Sequence, residues 1–318
     1  MRREDRKVSV LIPAYNEAES LGQLYQEILE NIRRMCEKGQ IGDYEIWFVN
    51  DGSTDDTESV ILALNEKDPK VHMISFRRNF GKSPALQAGF RHVTGDLVFT
   101  MDADLQDDPA ELSRFVEKID EGYDLVVGWK YNRLDPMEKR LPSKLFNAVT
   151  SRMAGFRLHD FDCGFKCFRR EVVESLDLYG ELHRYIPVLA QRYGFRITEI
   201  TVNHRKREHG RSKYGLERYM RGLLDSLTTT FLLRYTDRPM YFFGRVGVIS
   251  SFIGVIICLF LSILHMMGQA IGTRPLLTLG VLLIIVGFQS ISIGFVCNLI
   301  IDRSFRASYQ ESHIKKIV

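Results

Sequence analysis

An α/β fold with a doubly wound, mostly parallel sheet is predicted for this 318-residue chain. Short apolar runs alternate with amphipathic stretches through its first half, as strands and helices do around a parallel sheet. Acids and amides close several of those runs, at the strand ends where open sheets of this kind bind ligands. Beyond Val246 the alternation gives way to two long uncharged segments of another character.

The elements follow in order. Val8-Ser9-Val10-Leu11-Ile12-Pro13 reads as a buried strand; the charged Met1 to Lys7 and the short apolar run do not make a signal peptide. Asn16 to Arg34 is an amphipathic helix through Leu21, Leu24, Ile28 and Ile32. Glu45 to Asn50 is the second strand, and Ser53 to Thr57 offers capping side chains for a helix to about Asn65. Val71 to Phe76, Leu97 to Met101 and Asp124 to Trp129 are further strands, with helices at Pro84 to His92 and Pro109 to Glu121. The pattern is irregular from Lys130 to Arg170, apart from an amphipathic stretch at Ser143 to Met153 suited to a sheet face or a membrane interface. Gly164 to Phe168 is a short strand, Glu171 to Gln191 a helix, and Phe195 to Val202 a half-buried strand.

Val246 to Met267 and Leu276 to Ile301 carry no formal charge. At about 1.5 Å per residue each can cross a hydrocarbon layer of about 30 Å, which predicts a two-helix transmembrane hairpin. Arg234, Arg238 and Arg245 precede it, and Arg303, Arg306, Lys315 and Lys316 follow it, against Arg274 alone in the linker. The positive-inside rule then places the catalytic domain and both termini in the cytoplasm. The expected organisation is a soluble domain over 1–214, an interfacial helix and linker over 215–240, two spans within 241–301, and a tail over 302–318.

Net charge is +3, from 43 basic and 40 acidic residues, so no global field argues for nucleic acid. Basic residues do outnumber acidic ones between His204 and Arg245, just ahead of the first span, where anionic headgroups attract them. Five scattered cysteines, without a Cys-x-x-Cys pair, fit a reducing compartment.

The chemistry centres on Asp102-Ala103-Asp104-Leu105-Gln106, directly after the fourth strand. Two carboxylates there are hard oxygen ligands for Mg²⁺ or Mn²⁺, ions that often complete their shell with substrate phosphates. The expected substrate is a metal-bound diphosphate. Pro13 to Glu17 closes the first strand and Asn50 to Asp55 the second; Asp51 can accept from a base or a ribose, and Gly52 admits close backbone approach. Lys82, after the third strand, can meet a nucleotide's charge. Neither a phosphate-binding Gly-x-x-x-x-Gly-Lys-Ser/Thr loop nor a Gly-x-Gly-x-x-Gly fingerprint is present, which weakens ATPase and dinucleotide readings. A lipid phosphate needs cations at the membrane surface, and Lys130, Arg133, Arg140, Arg207, Arg211 and Lys213 are candidates, with Lys130, Arg140, Arg207 and Lys213 preferred.

Val8 to Glu17, Val49 to Thr57, Asn79 to Gly89 and Asp102 to Gln106, in this order and spacing, resemble the nucleotide-sugar domain of family 2 glycosyltransferases with the GT-A fold. With Gly128 to Tyr131, Lys139 to Ser143, His159 to Phe165, Gly210 to Tyr214 and the paired spans, the whole chain is similar to the polyprenyl-phosphate glycosyltransferases. The resemblance implies that Pro13, Tyr15, Glu17 and Asp51 hold the nucleoside, and that Asp102, Asp104 and Gln106 organise a divalent metal on the diphosphate. It also implies an acidic residue nearest the acceptor; Asp160 is favoured over Asp162, and Asp104 and Asp160 are the expected catalytic pair.

The implied reaction is inverting transfer of one sugar, glucose first and mannose second, from a UDP- or GDP-linked donor to a polyprenyl phosphate. Paired spans also allow a homo-oligomer. A processive polysaccharide synthase is a rival, but two spans make a poor conduit and its Gln-x-x-Arg-Trp element is missing at Gln191-Arg192-Tyr193. A membrane-anchored binding protein with an inactive site is the other, and the intact acidic pair speaks against it.

Overall fold

The computed structural model describes residues 3–131, 147, 150–151, 155–205, 235, 238–271 and 275–307, with side chains described as far as residue 300. The chain forms two compact units, Met1–Ser226 and Leu227–Val318. Arg140, Arg207 and Lys213, with Arg133 and Arg211, lie outside the described residues, as do the expected interfacial helix and most of 143–153.

In the first unit, strands β1 (Lys7–Ala14), β2 (Asp43–Asn50), β3 (Val71–Ser75), β4 (Leu97–Thr100), β5 (Leu125–Lys130), β6 (Lys166–Arg169) and β7 (Ile197–Val202) form one sheet. Its order is β3-β2-β1-β4-β6-β5-β7. β1 pairs in parallel with both β2 and β4, and β5 with β7, whereas β6 runs antiparallel between β4 and β5. This is the expected mostly parallel sheet with one reversed strand. Val8, Val10, Leu11 and Ile12 are all buried, as a strand covered on both faces requires. Pro13 lies beyond the last β4 partner, where that edge has no ladder to lose.

Helices α1 (Ala18–Glu37), α2 (Thr57–Lys67), α3 (Lys82–Phe90) and α4 (Leu112–Asp120) cover the sheet. Leu21, Leu24, Ile28 and Ile32 bury the apolar face of α1 at the predicted spacing. Gly89 lets α3 lie close on β1, because a Cβ there would meet Leu11 Cδ1 at 2.2 Å. Phe115 of α4 packs against Phe165 at 4.5 Å between ring centres, the rings tilted by 40°.

The single helix expected over Glu171 to Gln191 is instead two, α5 (Arg170–Glu174) and α6 (Ile186–Arg192), joined by an irregular segment ending in a 3₁₀ turn at Leu182–Tyr185. Gly180 adopts φ 52°, and Pro187 has no amide hydrogen to give a helix interior but suits the first turn of α6. Gln87 of α3 captures the segment, accepting from the Leu178 amide at 2.6 Å.

The second unit contains α7 (Met240–Met266) and α8 (Pro275–Ala307), both long and apolar enough to cross a membrane. The expected span Leu276 to Ile301 falls inside α8, and Val246 to Met267 ends one residue beyond α7. Phe252, Phe288 and Leu299 are largely exposed, so the outer surface is apolar rather than solvating. The inner seam is glycine: a Cβ on Gly247 would lie 2.6 Å from the Gly287 carbonyl oxygen, and one on Gly254 2.6 Å from that of Gly280. Ser250 Oγ donates to the Leu283 carbonyl at 2.9 Å. Small residues and hydroxyls allow such backbone approach in lipid, where no hydrophobic force draws helices together.

Candidate active site

The strand order reverses between β1 and β4, and the expected residues gather at the carboxyl ends of these strands. The loops after β1 and β2 are stitched together. The Asn16 amide donates to Ser53 Oγ at 3.0 Å, the Thr54 amide to Asn16 Oδ1 at 2.8 Å, and the Glu17 amide to Thr57 Oγ1 at 2.9 Å. Asn16 adopts φ 56°, a conformation asparagine tolerates better than most residues. Tyr15 is exposed, and Glu17 opens α1.

Asp51 is buried and accepts from the amides of Phe80 at 2.7 Å and Gly81 at 2.9 Å. Burial raises its carboxyl, against those two hydrogen bonds. It therefore pins the loop after β3. Gly52, at φ 66°, admits that loop: a Cβ would sit 2.2 Å from the Arg78 carbonyl carbon. Lys82 follows as the first residue of α3.

At the end of β4 the chain turns sharply. Leu105 adopts φ 62°, an uncommon conformation for a branched side chain, and its burial holds it there. The Gln106 amide donates to Asp104 Oδ1 at 3.2 Å, and the Asp102 amide to Asp107 Oδ2 at 3.2 Å. Gly164 backs the Asp102 carboxylate so closely that a Cβ would lie 2.6 Å from Oδ2. The other oxygen, Oδ1, accepts from Lys82 Nζ.

Three lysines surround this carboxylate. Burial favours the neutral acid at Asp102, but the charges of Lys82, Lys130 and Lys166 outweigh it and hold the carboxyl well below the usual range. Lys130 is half-buried and paired with Asp107 at 2.8 Å; desolvation opposes its charge, but Asp107 and its neighbours raise its pKa well above the ordinary value. Lys166, buried on β6, donates to the Cys163 carbonyl, and burial lowers its pKa. Asp160 is buried in the loop before β6, and Asp162 is half-buried with Arg184 at 3.9 Å.

The fold thus brings together Pro13, Tyr15, Glu17, Asp51, Lys82, Asp102, Asp104, Gln106 and Lys130 at one end of the sheet. Asp107, Lys166 and His183 escaped the sequence reading. His183 Nδ1 and Ser83 Oγ are hydrogen-bonded at 2.9 Å, while the His183 amide donates to that oxygen at 3.0 Å. Burial, with Lys82's charge, pushes the imidazole down to about 3, so it is neutral near pH 7. The chain leaves β7 beside the acidic turn: the Arg205 amide donates to the Gln106 carbonyl at 3.0 Å, and its guanidinium pairs with Asp108 at 2.7 Å.

Among the described residues no group of three or more His, Cys, Asp or Glu side chains converges on one point. Two carboxylates one residue apart in sequence, Asp102 and Asp104, are a donor set for an ion that draws its remaining ligands from substrate phosphates and water, not one caged by protein.

The glycosyl transferase family 2 profile matches residues 9–177. The chain is 34% identical to the dodecaprenyl-phosphate galacturonate synthase of Rhizobium johnstonii over 97% of its length and 91% of that protein. It is 35% identical to the undecaprenyl-phosphate 4-deoxy-4-formamido-L-arabinose transferase of Yersinia pestis, over 92% and 87%. Among solved structures, glucosyl-3-phosphoglycerate synthase from Mycobacterium tuberculosis, in complex with Mn²⁺ and UDP-glucose, superposes with a TM-score of 0.51 at 20% identity, over 71% of this chain and 79% of that one. Mannosyl-3-phosphoglycerate synthase from Rubrobacter xylanophilus superposes with a TM-score of 0.52 at 20% identity, over 71% and 74%. The sheet has the GT-A-like architecture those structures share.

Proposed function

The chain belongs to glycosyl transferase family 2, and on that premise we propose that it moves a single sugar from a nucleotide diphosphate sugar to a polyprenyl phosphate at the cytoplasmic membrane face. The observation that carries this reading is Asp102 and Asp104 at the reversal of strand order, with Lys82 and the Asp51 loop alongside. Both relatives are named as transferases or synthases acting on polyprenyl phosphates, and they match nearly the whole chain, apolar helices included.

In this reading the β1 and β2 loops, through Pro13, Tyr15, Glu17 and Asp51, hold the nucleoside. Asp102, Asp104 and Gln106 organise Mg²⁺ or Mn²⁺, which stabilises negative charge on the departing diphosphate. The acceptor phosphate is already anionic near neutral pH, so no strong base is required, and Asp160 serves to position the acceptor. Lys130, Arg140, Arg207 and Lys213 attract the lipid phosphate. The relatives favour a modified sugar, galacturonate or a 4-formamido pentose, over the glucose or mannose expected from sequence.

Purified full-length protein, offered a panel of UDP- and GDP-sugars with undecaprenyl phosphate, is expected to add one sugar per lipid by mass spectrometry. A polymer would establish the processive reading, and donor binding without transfer the inactive one.

A further inference from the structure

Lys82 contributes more than positive charge. Its ammonium bonds Oδ1 of Asp102, and Gly164 crowds the same carboxylate, a Cβ there falling 2.6 Å from Oδ2 and 2.7 Å from Oδ1, so Lys82 already occupies an oxygen of a carboxylate with restricted access. We infer that Lys82 is a cationic placeholder, competing with the divalent ion for Asp102 and releasing it when a nucleoside diphosphate offers the ammonium another partner. The inference rests on the metal reading of Asp102 and Asp104 and adds a binding order to it.

The surroundings allow this exchange at Lys82 and at neither neighbouring lysine. Lys130 is held by Asp107 at 2.8 Å and Lys166 by the Cys163 carbonyl. The Lys82 backbone is fixed, because Gly81 donates to Asp51 at 2.9 Å and α3 begins immediately after it. Only the four-carbon stem is left to swing, and its Nζ is a mobile point charge. The first turn of α3 carries no acidic side chain of its own, although the Asp51 carboxylate already takes the Phe80 and Gly81 amides just ahead of it, so the Lys82 ammonium is the group left to meet an arriving phosphate. An ammonium and a divalent cation repel each other on one carboxylate. Ion and nucleotide therefore strengthen each other's binding, by equal factors in either order.

The test is Mn²⁺ binding to the full chain, followed through the electron paramagnetic resonance signal of free Mn²⁺, alone and with uridine or guanosine diphosphate. Lys82→Met is expected to bind Mn²⁺ about tenfold more tightly than wild type without nucleotide, a modest effect for one unit charge at contact distance. The gain from added nucleotide should shrink in the same variant. Lys82→Arg, which keeps the charge, should behave as wild type, and Lys82→Gln gives a second charge-removing arm should Lys82→Met fold poorly. If the neutral variants bind Mn²⁺ no more tightly while Asp102→Asn loses it, the placeholder is overturned and the metal site stands. If wild type binds no Mn²⁺ even with nucleotide, both fall.

Discussion

Glu45 shows how this sheet holds a charge in its interior. Its carboxylate accepts from Ser9 Oγ and the Thr94 amide, each at 2.6 Å, from Lys7 Nζ at 2.8 Å, and from Thr94 Oγ1 at 3.0 Å. Burial alone would raise its pKa, but these donors outweigh it and bring the group from 4.5 down to about 2. A depressed carboxyl stabilises the fold fully above its unfolded value and loses that contribution as pH falls toward the folded one. About 2–3 kcal/mol should disappear between pH 4.5 and 2. Denaturant unfolding across that window should show the loss in wild type and a flatter profile in Glu45→Gln; identical profiles would contradict the network. The acids of the candidate site were legible from sequence, because Asp51, Asp102 and Asp104 each follow an apolar run and strand ends point to the ligand crevice. Lys166 and His183 were not. Lys166 reaches the site only because β6 inserts antiparallel beside β4, and His183 only because its helix breaks; no local spacing encodes either event.

At the scale of elements, period and punctuation carried most of the fold. The apolar spacing of α1 and the continuous burial of β1 are sequence-local properties, and both appear as expected. The Glu171 to Gln191 segment misled because its apolar residues suit a helix, while Leu176, Leu178 and Leu182 are buried from an irregular chain pinned by Gln87. In the hairpin, length and lack of charge gave the two helices, but their register depends on which glycines meet. A Cβ at Gly280 would lie 2.9 Å from Cys258 Sγ, a spacing compatible with a disulfide. Oxidising membranes that contain Gly280→Cys should therefore form an intrachain disulfide, read as a gel-mobility change and lost with Cys258→Ser. No disulfide would contradict the glycine seam.

For the whole molecule, a nucleotide-sugar domain and an apolar hairpin occur in one chain, and relatives that act on polyprenyl phosphates share nearly its full length. In the proposed reading the domain takes the donor, and the apolar helices suit a lipid acceptor. The sugar was not legible, since a few pocket hydrogen bonds select it and no linear motif fixes their geometry. In the proposed reading Asp102 and Asp104 would hold a divalent cation that offsets the charge of the leaving diphosphate. The direct measurement is sugar transfer to undecaprenyl phosphate by full-length Asp102→Asn and Asp104→Asn, with chelator and Mn²⁺ add-back on wild type. We expect each variant to lose about 100-fold or more in rate, chelation to stop transfer and Mn²⁺ to restore it; undiminished transfer by both variants, or by chelated wild type, would contradict the account.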